Sequence, residues 1–189
     1  AGRLCDAVHF LQAVFASTEH LCENRLGGEL LDFRRRFGHR SLLDESIFGG
    51  LLRQRSFCKS CHVASDHLIF EKIITLSFPS QTYKGTITLK SLWQSHFSPT
   101  RGDGEQQCPN APTCSAKQVV KQTFLEREPP ILCIALLRGQ ETFLPNGILL
   151  QSRKDRRLVW FPERLDFLRS GVYSLLGAIV HHGAHPHSG

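Results

Sequence analysis

Apolar residues near the start of the chain recur at intervals of three and four positions. Phe10, Val14, Phe15 and Leu21 therefore fall on one side of a helix with 3.6 residues per turn. This pattern predicts an amphipathic helix over residues 6–22.

The rest of the chain has shorter apolar segments that alternate with polar residues or run together, and these segments predict β-strands. A further set at helical spacing, Leu92, Trp93 and Phe97, predicts a helical turn. An N-terminal helical part followed by strands and long loops predicts an α+β fold in a single domain. The predicted strands cover residues 68–78, 86–89, 119–125, 131–137 and 172–180, and we expect 119–125 and 131–137 to be neighbours because only a short Pro-rich turn separates them.

The length of 189 residues is enough to bury a core, and 41% hydrophobic and 21% charged residues are ordinary globular values. The chain has no run of 18 apolar residues and no basic-then-apolar leader, so we expect a soluble protein with no membrane partner. Since it contains no methionine, we expect it to be a processed or excised piece.

The charge balance is 23 Lys and Arg against 17 Asp and Glu, a net charge of +6. A basic chain raises the prospect of nucleic acid or of an acidic partner. The densest basic runs, residues 34–36 and 153–157, have no aromatic residues between the charges, as single-strand binding would require. We therefore expect each run to be a solvated face or a loop, and nucleic acid to be an unlikely partner.

Four cysteines carry the strongest chemical signal. Cys58 and Cys61 are separated by two residues, so both thiolates can reach one metal ion from a single turn. Cys108 and Cys114 form a second, wider pair after a strand-rich stretch, and together the four predict a structural Zn²⁺ site. Two alternatives stay open, a degenerate finger that has lost its metal and unrelated buried thiols.

The remaining cysteines and histidines favour plainer interpretations. Seven cysteines is an odd number, so a reducing intracellular compartment and free thiols are expected rather than a disulfide scaffold. His62 after Cys61 completes a c-type haem pattern, but the chain lacks both a distal methionine and an export signal. Core packing is expected for Cys5, Cys22 and Cys133. The histidines near the C-terminus fit a metal-binding tract, a loop beside an active site or polar terminal sequence. They are His181, His182, His185 and His187.

Six sequence blocks occur in the order found in one family of thiol hydrolases. The chain resembles the ubiquitin-specific proteases, papain-like ubiquitin carboxyl-terminal hydrolases of the peptidase C19 type. Two positions depart from the family pattern, since His9 replaces an acidic residue and Gly139 replaces Phe. The six blocks are Asp6–Leu11, Ile47–Gly50 with Cys58 and Cys61, Cys108–Gln118, Pro130–Arg138, Phe161–Asp166 and Tyr173–Gly183.

The resemblance implies a partial papain-like domain over residues 1–189, with antiparallel β fingers over about 53–127 and a palm over about 128–189. It also implies thiol-dependent hydrolysis of ubiquitin isopeptide bonds, with ubiquitin or ubiquitinated proteins as partners. A non-catalytic zinc-finger module that binds ubiquitin or nucleic acid is the alternative.

The family's catalytic residues do not map onto this chain. The catalytic cysteine of the family lies upstream of the block at Asp6, and its histidine lies in a Gly-His-Tyr sequence expected after Gly189. A second alignment makes Cys5 the nucleophile, but it puts Arg3 in place of the oxyanion-hole asparagine and brings Cys5 too close to the fingers. We therefore expect no catalytic residue in these 189 residues and no activity from them alone.

Overall fold

The computed structural model describes most of the chain in eight stretches. The first helix, α1, covers residues 8–21 within these stretches, so the helix expected near the N-terminus is confirmed there. The stretches are residues 8–21, 47–80, 84–101, 108–110, 113–115, 119–143, 149–169 and 171–180. The expectations for Cys5, Cys22, the basic run 34–36 and the histidine tail concern residues outside them.

Two helices and twelve strands make up the described residues. Helix α2 (Leu89–Phe97) begins at a capping box, in which the Thr88 hydroxyl accepts from the Ser91 N–H and the Ser91 hydroxyl accepts from the Thr88 N–H. The strands are β1 (Gly50–Cys58), β2 (Ala64–Glu71), β3 (Ile73–Ser77), β4 (Ile87–Thr88), β5 (Thr100–Arg101), β6 (Val119–Arg127), β7 (Cys133–Leu137), β8 (Gly139–Phe143), β9 (Leu149–Lys154), β10 (Val159–Trp160), β11 (Arg164–Leu165) and β12 (Tyr173–Ser174).

The longest strands form one antiparallel sheet in the order β2-β1-β6-β5. Strand β1 lies in the middle, where Arg55 pairs with Asp66 on one side and with Gln122 on the other. At one end of this sheet Cys58 is opposite Val119, so the turns that carry the paired cysteines meet there. We call this sheet with its cysteine turns the finger.

A second part of the fold is built from short strand pairs around an apolar core. Strands β3 and β7 are parallel, as are β4 and β10, whereas β8–β9 and β11–β12 are antiparallel pairs. The hydroxyl of Tyr173 donates to the carbonyl oxygen of Pro129, which ties β12 to the segment after β6. The centre of the core consists of Ile74, Leu76, Ile87, Leu92 and Trp93.

Most of the predicted strands are confirmed in position, whereas the predicted pairing of 119–125 with 131–137 is wrong. The segment 68–78 is interrupted at Lys72, which separates β2 from β3. Strands β6 and β7 are not neighbours, because β6 pairs with β1 and β5 while β7 pairs with β3. Local patterns predict that a strand exists, whereas its partners depend on contacts distant in the sequence.

Two other predictions differ from the structure, one in burial and one in secondary structure. Helix α1 buries Phe15, whose ring centroid lies 4.9 Å from that of Phe48, but leaves Phe10 and Leu21 exposed. The apolar segment 172–180 has strand structure only at Tyr173–Ser174. No helix among the described residues is long and apolar enough to cross a membrane.

Candidate metal centre

The first cysteine turn is held by its own backbone. The N–H of Cys58 donates to the carbonyl oxygen of Val63 at 3.0 Å, and the N–H of His62 donates to that of Cys58 at 3.0 Å. His62 closes the turn with a φ of 60°, in the left-handed region. This backbone path folds the chain back after β1, so Cys61 returns to the side of Cys58.

The second cysteine turn is organised around Asn110. Its carbonyl oxygen accepts from the N–H groups of Thr113 and Cys114, at 3.0 and 2.9 Å. The Asn110 N–H in turn donates to the sulfur of Cys108 at 3.2 Å. These bonds bring Cys114 close to Cys108 although five residues separate them, a spacing wider than that of the usual zinc turn.

The two turns bring all four predicted ligands together. The four Sγ atoms of Cys58, Cys61, Cys108 and Cys114 lie within 4.8 Å of one another. Contacts run from one turn to the other, with 3.4 Å between Cys61 and Cys108 and 4.0 Å between Cys58 and Cys114. Four sulfur donors around one point are the donor set of a tetrahedral structural site, so these residues fit a metal ion of that kind.

The pKa values of two of the four thiols are shifted in opposite directions. A hydrogen bond from the backbone of Cys61 lowers the pKa of Cys58 to about 6. Burial raises the pKa of Cys108 to about 12. Four thiolates side by side in a buried place repel one another, so a bound cation would offset the cost of deprotonating them all.

The other candidate residues lie outside this group. His62 follows Cys61, but its ring packs at a tilt against Phe57, with 5.9 Å between the centroids, and it does not belong to the cysteine group. Cys133 lies in β7 and is half-buried, and burial raises the pKa of its thiol. The partial burial of Cys133 agrees with a packing role for that residue. Among the described residues, the group that could hold a metal ion therefore consists of the four thiols and includes neither His62 nor Cys133.

One charged cluster on the finger was missed by sequence reasoning. Arg55 makes two hydrogen bonds to the Asp66 carboxylate, at 2.8 and 2.9 Å, and Arg53 makes one to Glu126 at 2.7 Å. The guanidinium of Arg53 also lies 4.9 Å from the centre of the Phe124 ring. The partners come from three strands, so only the register of the sheet shows that they meet.

Comparisons with known proteins agree with the resemblance seen in the sequence. The family model "Ubiquitin carboxyl-terminal hydrolase" matches residues 2–189. Ubiquitin carboxyl-terminal hydrolase 15 from Arabidopsis thaliana is 29% identical over 185 residues, which cover 93% of this chain and 18% of that protein.

Two solved structures show the same architecture. The yeast SAGA DUBm with a mutant Sgf73 has a TM-score of 0.68 at 19% identity, covering 85% of this chain and 34% of the solved chain. The SAGA Ubp8/Sgf11/Sus1/Sgf73 DUB module bound to ubiquitin aldehyde has a TM-score of 0.61 at 20% identity, covering 87% and 32%. These similarities confirm the mixed α and β papain-like fold with its antiparallel sheet.

The chain spans about a third of the length of these solved chains and less than a fifth of the Arabidopsis protein. The match to the family model nevertheless includes nearly every residue, and both the fold and the sequence blocks agree with it. The chain therefore belongs to the ubiquitin carboxyl-terminal hydrolase family.

Proposed function

We propose that this chain is the ubiquitin-holding part of a deubiquitinase, a thiol-dependent hydrolase of ubiquitin isopeptide bonds. The observation that carries the proposal is the group of four thiols within 4.8 Å at the end of an antiparallel finger, in a chain that belongs to this family. One solved relative in fold is bound to ubiquitin aldehyde, which supports ubiquitin as the partner.

The proposed reaction divides the work between this chain and a catalytic thiol and imidazole. In such a cycle a thiolate attacks the isopeptide carbonyl, the histidine protonates the departing lysine amine, and water hydrolyses the acyl-enzyme. We assign no catalytic residue to residues 1–189. The finger would hold the folded body of ubiquitin, and the part of the chain after it, expected to be the palm at about 128–189, would support the catalytic histidine.

Zn²⁺ is the metal that the four thiols suit best. When bound, it supplies the positive charge that keeps four thiolates together in a tetrahedral set. Cys58 and Cys61 would hold it from the end of β1, and Cys108 and Cys114 from the turn before β6. A narrow finger has little core of its own, so joining its two turns through a metal would contribute directly to its folding. Free thiols of this kind suit an intracellular protein.

Metal analysis tests the zinc centre. The purified chain should contain close to one zinc per molecule, and Cys58→Ser should lose most of it. Cys133→Ser is the matched control, since Cys133 lies outside the thiol group, and it should keep the metal. A metal-free protein whose melting temperature is unchanged by a chelator would contradict the zinc assignment.

A titration followed by the amide shifts of ubiquitin tests the proposed partner. We expect weak binding, of roughly −8 to −4 kcal/mol, because the interface would lack the cleft that captures the ubiquitin tail. The +6 charge should contribute little, so the affinity should survive moderate salt. Absence of shifts, together with tight binding to nucleic acid that weakens steeply with salt, would favour the zinc-finger module instead.

A further inference from the structure

We propose that Cys61 and Cys108 form an oxidative modification site at which hydrogen peroxide converts two of the metal-binding thiols into a disulfide joining the two turns of the finger. It rests on the zinc site proposed above and does not depend on ubiquitin hydrolysis. Its basis is a partly exposed thiol next to a buried one, with 3.4 Å between Cys61 Sγ and Cys108 Sγ.

Accessibility selects the sulfur that reacts first. Cys58 and Cys108 are 0% and 3% exposed, so a solvent oxidant has almost no access to them. Cys61 and Cys114 are partly exposed. Cys61 has the shorter contact to a buried partner, which makes Cys61 the expected entry point and Cys108 the resolving thiol.

The reaction balances with peroxide as the only co-reactant. The Cys61 sulfur attacks one peroxide oxygen, the O–O bond breaks, and a sulfenic acid and hydroxide form. The Cys108 sulfur then attacks the Cys61 sulfur, the S–S bond forms, and the sulfenic oxygen leaves as a second hydroxide. Each hydroxide takes up a proton to become water. Two electrons pass from the two sulfurs to the peroxide, and only two thiolates remain for the metal.

The short sulfur–sulfur contacts run between the two cysteine turns and not within one turn, and this determines how oxidation affects the finger. Cys61–Cys108 and Cys58–Cys114 both connect the turn after β1 with the turn before β6. A disulfide at either place closes the finger covalently, whereas a disulfide within one turn would leave the two turns free to separate. Oxidation should therefore release the metal and still keep β1 and β6 joined, because the Cys61–Cys108 bond links positions 47 residues apart.

Peptide mapping of the zinc-loaded chain after hydrogen peroxide treatment tests this directly and needs no variant. We expect release of zinc to a chromogenic chelator, loss of two hydrogens in mass, and one linked peptide pair containing Cys61 and Cys108. A thiol reductant with added zinc should restore the starting state. Disulfides within either turn, or sulfinic acid without any disulfide, would overturn the proposal.

Thermal unfolding provides a second readout. The oxidised, metal-free chain should keep a cooperative transition close to that of the zinc form, while the reduced chain in chelator should lose it. Cys133→Ser serves as the control and should behave like the parent in every measurement, because Cys133 is outside the thiol group. An oxidised chain that unfolds like the reduced, chelated one would contradict the closed finger.

Discussion

Arg157 places its guanidinium against the carboxylate of Asp155, two residues earlier, with 2.6 Å between Nη2 and Oδ2. Asp155 is 3% exposed, and its Oδ1 also accepts from the Arg157 backbone N–H at 3.0 Å. The same guanidinium donates to the carbonyl oxygens of Pro79 and Ser80, at 2.6 and 3.0 Å. This ion pair therefore connects the segment between β9 and β10 to the end of β3.

Replacing Asp155 tests the importance of this connection. Asp155→Asn should lower the free energy of unfolding by about 2 kcal/mol, because it removes the charge of a buried carboxylate that accepts hydrogen bonds from Arg157. Asp66→Asn is the matched control, since Asp66 pairs with Arg55 where both side chains are partly exposed, and it should cost clearly less. Urea unfolding measures both, and equal losses would contradict a special role for the buried pair.

The same pair predicts a dependence of stability on acid. Hydrogen bonds from Arg157 hold the pKa of Asp155 below its ordinary value of 3.8. A lowered folded-state pKa means that the contribution is fully present above pH 3.8 and is lost as the pH falls through the lowered value. The difference in stability between the parent and Asp155→Asn should therefore shrink in acid, as urea unfolding above and below pH 3.8 would show.

Residues 153–157 show why local sequence predicts some features and not others. The run was expected to be a solvated face or a loop. Residues 155–158 do form a loop between β9 and β10, but Asp155 is buried in it and Arg157 is partly buried. The carbonyl oxygens that accept from the Arg157 guanidinium belong to Pro79 and Ser80, which lie 78 and 77 positions away in the sequence. Nothing near the run in sequence indicates those acceptors.

The cysteine group was predictable because the information is local. The spacing of Cys58 and Cys61 fits a single turn, and the second pair needs only the return of the chain along β6. Helix α1 and the positions of most strands follow from apolar periodicity for the same reason. The pairing of β7 with β3 and the two-residue length of β12 depend on packing between distant segments, which periodicity does not encode.

Phe15 is predicted to hold helix α1 on the fold. It is 6% exposed and packs against Phe48, so Phe15→Ala should cost about 3 kcal/mol. Phe10→Ala removes the same ring from the same helix, where the side chain is 58% exposed, and should change stability by less than about 0.5 kcal/mol. Thermal unfolding of the two variants checks the contrast, and similar losses would show that α1 packs differently.

His62 is predicted to carry backbone strain in the first cysteine turn. Its φ of 60° favours glycine, so His62→Gly should stabilise the zinc-loaded chain by up to about 1 kcal/mol, less the lost contact with Phe57. His67→Gly makes the same change within β2 and should destabilise it by about 1 kcal/mol. Chemical unfolding of the metal-bound proteins decides this, and a loss at both positions would show that the ring contact outweighs the strain.

The segment 172–180 is predicted to promote self-association of the isolated chain. Leu176 is 83% exposed and Ile179 63%, and such apolar surface promotes association. Leu176→Lys with Ile179→Lys should lower light scattering and the binding of an apolar dye, while changing stability by less than about 1 kcal/mol in total. Leu76→Lys, at a site with 0% exposure, should instead prevent folding. Unchanged scattering in the double variant would show that this segment is not the cause.

Residues 1–189 alone are predicted not to react with a ubiquitin probe that carries a thiol-reactive C-terminal group. In the zinc-loaded chain the four finger cysteines would be held as metal ligands, and Cys133 is half-buried in β7 with its pKa raised by burial, so we expect neither to attack the C-terminal group of the probe. Mass spectrometry after incubation with the probe makes the measurement. Labelling that disappears in Cys5→Ala but persists in Cys133→Ser would instead identify Cys5 as the nucleophile and support the second alignment.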